Sequence, residues 1–369
     1  MDLPKYNGNI HPDEWVNDIQ KYLKLKNNNY SINDYLEIAK TLVDTNISLP
    51  TEIDTIEKLR NALKEDISFT VFKSTNKRKL QLLKYIPESK GGDTSKFISN
   101  FLKLCYNAEI NDIEEQRNYL YKSLPMNNYF SSEFYKKMKD VNSVNELIKE
   151  FEDIIVKESN LIKDESIVAL KHIATGKYLS SFENLHYRTG SKFQLIFAGS
   201  PAVPDPNSLW KIKFGKELAT YNNTSIKLQH IKSSNKFLGI YYGGYKGYYG
   251  YYKSPSNNYT EVSCNSTNHI SNSSKYWNDN WKFNDSKLES RQGYLKSNDI
   301  INISVKKLYD DRGDYTPNGP VEFLRSHDIK FTIGNDTFQE VVCHNERLGG
   351  NDEWCIELIK QHIWTIDTK

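Results

Sequence analysis

The chain lacks most of what marks a membrane protein or an enzyme. No apolar run approaches the ~18 residues a bilayer span needs. The opening Met1-Asp-Leu-Pro-Lys-Tyr-Asn-Gly8 is polar, without the apolar segment of a signal peptide. The closing Ile366-Asp-Thr-Lys369 carries no retention signal. The expectation is an intracellular, cytoplasmic protein with no membrane span. An excess of either charge is missing too: 49 basic residues face 47 acidic ones, a formal net charge of +2. Neither half is a polyelectrolyte, which disfavours nucleic acid as a partner. Cysteine is scarce, with four in 369 residues. Cys105 lies on an apolar helical stripe, and Cys264, Cys343 and Cys355 lie in strand-like text, none with the Cys/His spacing of a zinc site. They read as buried reduced thiols, with a Cys343–Cys355 bridge as the alternative. No metal and no cofactor is expected.

What the chain does contain is a phrase written three times. Asp205-Pro-Asn-Ser-Leu-Trp210-Lys-Ile212, Asn278-Asp-Asn-Trp281-Lys-Phe283 and Gly349-Gly-Asn-Asp-Glu-Trp354-Cys-Ile356 each run from an Asn/Asp turn through Trp into alternating apolar residues. That is a turn entering a half-buried strand. The tryptophans are 71 and 73 residues apart. Ahead of them, Ile167-Val-Ala-Leu-Lys-His172 with Thr175-Gly-Lys-Tyr-Leu179 is echoed by Ser225-Ile-Lys-Leu-Gln-His230 with Asn235-Lys-Phe-Leu238. A degraded third copy runs from Ile301 to Val305 and from Val321 to Leu324. Three units of about four short strands, each too small to bury its own face, need one another for a core. The expected solution is a β-trefoil over residues 166–369.

These residues, with Tyr187-Arg-Thr-Gly-Ser191, Gln194 and the Asn-x-x-Trp phrase, resemble the MIR module. That β-trefoil occurs in protein O-mannosyltransferases, intracellular calcium-release channels and small endoplasmic-reticulum folding factors. The resemblance covers roughly Glu165 to Gln361 and is weakest in the second copy. It implies a binding module without chemistry of its own, directed at a glycan or a protein.

Residues 1–160 read as an all-α bundle of seven or eight helices. Pro12-Asp-Glu starts one, with Trp15, Ile19, Tyr22 and Leu23 on one face. Ser31 opens a second, and further helices are expected near Thr55–Lys73 and Lys79–Tyr85. Asp93 caps a stripe of Phe97, Phe101, Leu104 and Ala108. Asp112 caps a helix through Leu124, and Ser143-Val-Asn-Glu146 is a capping box for the last. Trp15, Phe97, Phe101 and Phe151 should lie in the core. Leu3-Pro-Lys-Tyr-Asn-Gly8, Trp15 and the order of the later helices resemble a retrotransposon Gag capsid region, from about Leu3 to Lys157. The resemblance implies self-association, and so a homo-oligomer. No Cys-x-x-Cys knuckle or basic tail follows, which counts against RNA packaging. Residues 161–165 read as a short charged link.

No nucleophile–base pair or carboxylate pair forms a recognisable catalytic signature, so the chain reads as a non-enzyme. His172 and His230 hold equivalent places in two repeats, which argues for packing rather than catalysis. Gly243-Gly-Tyr-Lys-Gly247 lacks the ending of a phosphate loop. One stretch is unusual: Tyr241, Tyr242, Tyr245, Tyr248, Tyr249, Tyr251 and Tyr252 fall within twelve residues, with Lys246 and four glycines. Tyr supplies large contact area and Gly lets the backbone adapt, which is the composition of binding loops. The alternative is a hairpin whose alternate rings pack on the trefoil. If a ligand binds, the expected surface combines this stretch with the Tyr187-Arg188-Thr189 turn. A glycan or peptide ligand, bound weakly and nearly independently of salt, is the expected partner. Two functions follow: a recognition or adaptor protein whose helical half serves association, or a self-assembling capsid-like scaffold.

Overall fold

The computed structural model describes residues 5–26, 31–125, 128–199, 203–233, 235–245, 248–266, 276–285 and 293–361. The chain divides into two units, Met1–Glu158 and Ser159–Lys369.

The first unit is helical: α1 Pro12–Lys26, α2 Ile32–Thr41, α3 Ile56–Glu65, α4 Ile67–Leu82, α5 Thr94–Asn107, α6 Ile113–Ser123, α7 Asn128–Lys137 and α8 Val144–Ser159. The side chains of Ser31, Asp93 and Asp112 accept from backbone N–H groups three residues on, fixing the starts of α2, α5 and α6. Two expectations need correcting. The separate helix expected near Lys79–Tyr85 is the last turn of α4, which runs unbroken to Leu82. The helix anticipated over Thr55–Lys73 is two, because Asp66 leaves the helical region at ψ 145° and accepts from Ser68 N at 2.8 Å. Its short side chain competes for the backbone, so α3 ends and α4 starts at one residue. Trp15, Phe101 and Phe151 are fully buried and Phe97 nearly so. Trp15 packs on Tyr6, with centroids 5.2 Å apart, and Phe151 sits 5.3 Å from Tyr85 and 5.7 Å from Phe97.

The second unit is built of antiparallel strands in three runs. The first holds β1 Ile167–His172, β2 Tyr178–His186, β3 Gln194–Gly199 and β4 Trp210–Lys213. The second holds β5 Lys227–His230, β6 Lys236–Tyr245, β7 Tyr248–Tyr251, β8 Thr260–Glu261, β9 Ser263–Ser266, β10 Trp277–Asn278 and β11 Trp281–Asp285. The third holds β12 Asp299–Lys306, β13 Val321–Ile333, β14 Asp336–His344 and β15 Trp354–Lys360. The ladder β1–β4–β5 continues through the Ile226–Trp281 bridge into β11–β12–β15, and β15 returns to β1. This is a closed six-stranded barrel. The pairs β2–β3, β6–β9 and β13–β14 form a second layer, joined through β3–β9 and β3–β14. A barrel of six strands with three such pairs is the β-trefoil architecture.

Each run closes the same way. The indole Nε1–H of Trp210 donates to Leu179 O at 2.9 Å, that of Trp281 to Leu238 O at 2.8 Å, and that of Trp354 to Leu324 O at 3.0 Å. All three indoles are fully buried in one apolar core. His172 lies against Trp354 and His230 against Trp210, each with centroids 5.0 Å apart, and Val305 pairs with Trp281 in the third position. Each imidazole is held by the carbonyl of an asparagine, Asn351 or Asn207, three residues before that tryptophan. Burial lowers the pKa of both, so they pack as neutral rings.

Residues 161–165 are not a link. Leu161 and Ile162 are fully buried, Leu161 and Lys163 pair with Lys296 and Leu218, and Asp164 accepts from Phe214 N at 2.6 Å. Two apolar residues at the start of the segment outweigh the charge of the three that follow, and draw it into the barrel's edge. The four cysteines are free thiols.

Candidate functional site

The tyrosine stretch folds as the hairpin β6–β7, with Tyr242 opposite Tyr251, Gly243 opposite Gly250, Gly244 opposite Tyr249 and Tyr245 opposite Tyr248. Side chains of a strand alternate between faces, and the tyrosines divide accordingly. On one face Tyr242 is buried, donates its hydroxyl to Asp310 O at 2.9 Å and meets Tyr251 edge-on at 5.2 Å. The Tyr251 hydroxyl accepts from Leu308 N at 2.7 Å and Tyr309 N at 3.3 Å, and Lys307 Nζ sits 4.9 Å from its ring centre. On the other face Tyr241 and Tyr252 stack at 5.6 Å with an interplanar angle of 6°, and Phe193 abuts Tyr241. Tyr249 differs from these four. Its ring lies across the strand over Gly244, where a Cβ would come within 2.7 Å of it, and it remains 59% exposed. Gly244 therefore makes room for an aromatic ring lying on the sheet. Lys246 lies outside the described residues.

The second segment is the turn after β2. Tyr187 is not at the surface: only 3% exposed, it donates its hydroxyl to Val262 O at 3.0 Å, and burial raises its pKa well above the usual value. It is an anchor, and this corrects its expected place in the binding surface. Tyr242 is withdrawn for the same reason. Beyond Tyr187 the chain turns outward, with Arg188 and Thr189 exposed. Gly190 then takes φ +63°, and a Cβ there would fall 1.9 Å from Glu261 Oε2. Only glycine fits both conditions. Ser191 completes the clamp, its hydroxyl donating to Glu261 Oε1 and its backbone N–H to Oε2 at 3.2 Å.

The two segments, separate in sequence, enclose one cleft of about 730 Å³ lined by Arg188, Thr189, Lys192, Tyr249, Tyr252 and Lys253, among others. That volume is in the range of small-molecule sites. Lys192 and Lys253 in the cleft, and the buried Glu261 that holds its Gly190–Ser191 turn, were not expected. Lys192 and Lys253 each follow directly on a segment singled out for other reasons, and Glu261 lies in a two-residue strand with no pattern of its own.

Glu261 has a measurable consequence. Burial pushes its carboxyl up to about 7, against the opposing pull of the Ser191 hydrogen bonds. The folded value thus lies above the ~4.3 of an unfolded glutamate. The stability this gives is complete below the unfolded value and is lost as pH rises through about 7. Glu261→Gln should therefore gain on the parent chain between pH 5 and pH 8, by roughly 2–3 kcal/mol at most. Urea midpoints at the two pH values read this directly. A constant difference would mean Glu261 is already ionised at pH 5.

No family model and no curated protein sequence matches the chain. Among solved structures it is similar to an SDF2-like protein from Arabidopsis thaliana, at 24% identity over 53% of this chain and 94% of that one, with a TM-score of 0.39. It is also similar to the S. cerevisiae protein O-mannosyltransferase Pmt1-Pmt2 complex bound to the sugar donor, at 20% identity over 76% of this chain and 36% of that one, with a TM-score of 0.40. A ricin B-like lectin from Macrolepiota procera, in complex with lactose, aligns at 12% identity over 53% of this chain and 98% of that one, with a TM-score of 0.27.

Proposed function

We propose that the chain is a non-enzymatic binding protein whose MIR-like trefoil takes up a glycan or a peptide in the cleft between the β6–β7 hairpin and the Arg188-Thr189 turn. The observation that carries this reading is convergence. Two segments about sixty residues apart in sequence, one aromatic and one polar, line a single cleft with Tyr249 exposed beside it. An exposed ring resting on Gly244 of the neighbouring strand offers contact area at little entropic cost. Tyr242, Tyr251 and Tyr187 hydrogen-bond to the backbone of Asp310, Leu308 and Val262 and so anchor the two segments.

A glycan array and a peptide-display screen on the full chain test it, followed by calorimetry on the hits. Tyr249→Ala should weaken binding about tenfold, the scale of one aromatic contact of ~1.4 kcal/mol. Binding that persists unchanged in this variant puts the site elsewhere on the trefoil.

The helical unit is proposed to serve association between copies of the chain. Ile67, Val71 and Leu82 of α4 are 72%, 57% and 79% exposed and fall on one side of the helix, opposite buried Phe69 and Leu80. Sedimentation at high micromolar concentration should show a dimer or larger species that Val71→Glu dissolves. A monomer at every concentration removes the idea.

A further inference from the structure

The linear sequence places one lysine in the tyrosine stretch and leads to a ligand indifferent to salt. The fold changes that count. Arg188, Lys192 and Lys253 all line the cleft, all three are exposed, and none has an ion-pair partner among the described residues. Glu261, the carboxyl beneath Gly190, is tied to Ser191 rather than to any of them. Three unmatched cations around one cleft repel one another when it is empty, and an anion relieves that repulsion.

We propose that the ligand of this cleft is a short anionic oligosaccharide, its acidic groups met by Arg188, Lys192 and Lys253 and one ring face laid on Tyr249. This deepens the reading of the trefoil as a binding module and rests on it. The chemistry selects a sugar because a flat aromatic ring matches the C–H face of a pyranose, while the three cations match its carboxylate or sulfate groups. An extended nucleic acid would call for a groove tracking many phosphates and a basic domain. Here the cations gather at one cleft of about 730 Å³ in a chain of net charge +2.

The test uses the full chain and calorimetry with five probes. They are a sulfated heparin-derived tetrasaccharide, a carboxylated galacturonic-acid trimer, uncharged mannotriose, a hexaglutamate peptide and a dT10 oligonucleotide. One or both acidic sugars should bind at least tenfold more tightly than mannotriose, and the two arms separate sulfate from carboxylate. Binding should weaken roughly tenfold between 50 and 500 mM NaCl, as exposed charge pairs are screened. Arg188→Ala with Lys192→Ala and Lys253→Ala should abolish it, with the melting curve unchanged because all three side chains are exposed. Should that variant unfold, Lys192→Glu alone should still weaken binding tenfold. Mannotriose bound as tightly as the acidic sugars, with Tyr249 still required, overturns the anionic assignment and leaves the binding-module reading standing. Tighter binding of hexaglutamate or dT10 overturns the sugar. No binding of any probe overturns the proposal, while the array and display screens decide separately whether the cleft binds at all.

Discussion

Replacing Trp354 by alanine should destabilise the trefoil by ~3–5 kcal/mol, the cost of deleting a large buried aromatic side chain. Trp210 and Trp281 should fall in the same range, because all three are fully buried in one core. The order within the range is also fixed. Trp354 and Trp210 each carry an imidazole at 5.0 Å, whereas Trp281 is paired with Val305. An aromatic contact adds ~0.5–1.5 kcal/mol, so Trp281→Ala should be the mildest of the three. Tryptophan to phenylalanine separates packing from hydrogen bonding. It keeps a ring but strips the partner from Leu179, Leu238 or Leu324 O, which should cost ~1–3 kcal/mol for an unpaired buried carbonyl. Far-UV circular dichroism of the strand unit's transition in urea measures all six variants. A loss below ~1 kcal/mol for any alanine variant would mean that indole is not a core side chain.

Asp352→Ala should be comparably severe, for an electrostatic reason. Its carboxylate is fully buried and accepts from Arg325 Nε at 2.8 Å, Arg325 Nη2 at 3.2 Å, Gly349 N at 2.7 Å and His344 Nε2 at 2.7 Å. Removing it leaves a guanidinium that is only 14% exposed, retaining Glu346 and the Arg347 carbonyl, and a buried imidazole without its acceptor. Breaking a buried pair by deleting one partner costs ~3–5 kcal/mol. The pH dependence gives a second readout. Burial pushes the Asp352 carboxyl up, but the hydrogen bonds from His344 and Arg325 more than offset it and hold it at about 2. The unfolded value is ~3.9. The stabilisation is therefore complete above that value and lost as pH falls through about 2. The gap between parent and Asp352→Asn should shrink as pH falls from 5 to 2. A gap that stays constant would remove the carboxylate charge from the account.

The barrel was legible because its signal is written in large, rare residues. Trp210, Trp281 and Trp354 carry both the period and the apolar alternation after it, and His172 and His230 mark the strands they pack against. The cap of the second run was harder to read. Ile240 and Thr260 stand where the other runs have the pairs Ser181–Gln194 and Ser326–Gln339, whose side chains bond at 2.7 and 2.9 Å. With that pair gone, the copy loses its recognisable text while keeping its strands. In the helical unit, apolar stripes located the helices, but the break at Asp66 was missed because the stripe runs on either side of it.

The cleft was half legible. Composition pointed to the tyrosines and to Arg188, yet could not say which rings face inward, since that depends on the pairing of β6 with β7. Tyr242 and Tyr187 read as ligands and are anchors. Lys192 and Lys253 went unnoticed because their significance is spatial: the β3–β9 and β6–β9 pairings bring the turn after β2 beside the end of β7.

The pairing of β1 with β15 has a further consequence. Ile167 lies opposite Lys360, and Gln361 Nε2 donates to Leu161 O at 3.0 Å, so the polypeptide enters the barrel where it leaves it. Such a unit can be spliced into a surface loop of another protein with little chain to bridge, or be reopened between β4 and β5 and rejoined at its old ends with the same set of neighbours. The order in which the three runs are read is then a matter of where the gene is cut, and the barrel is indifferent to it.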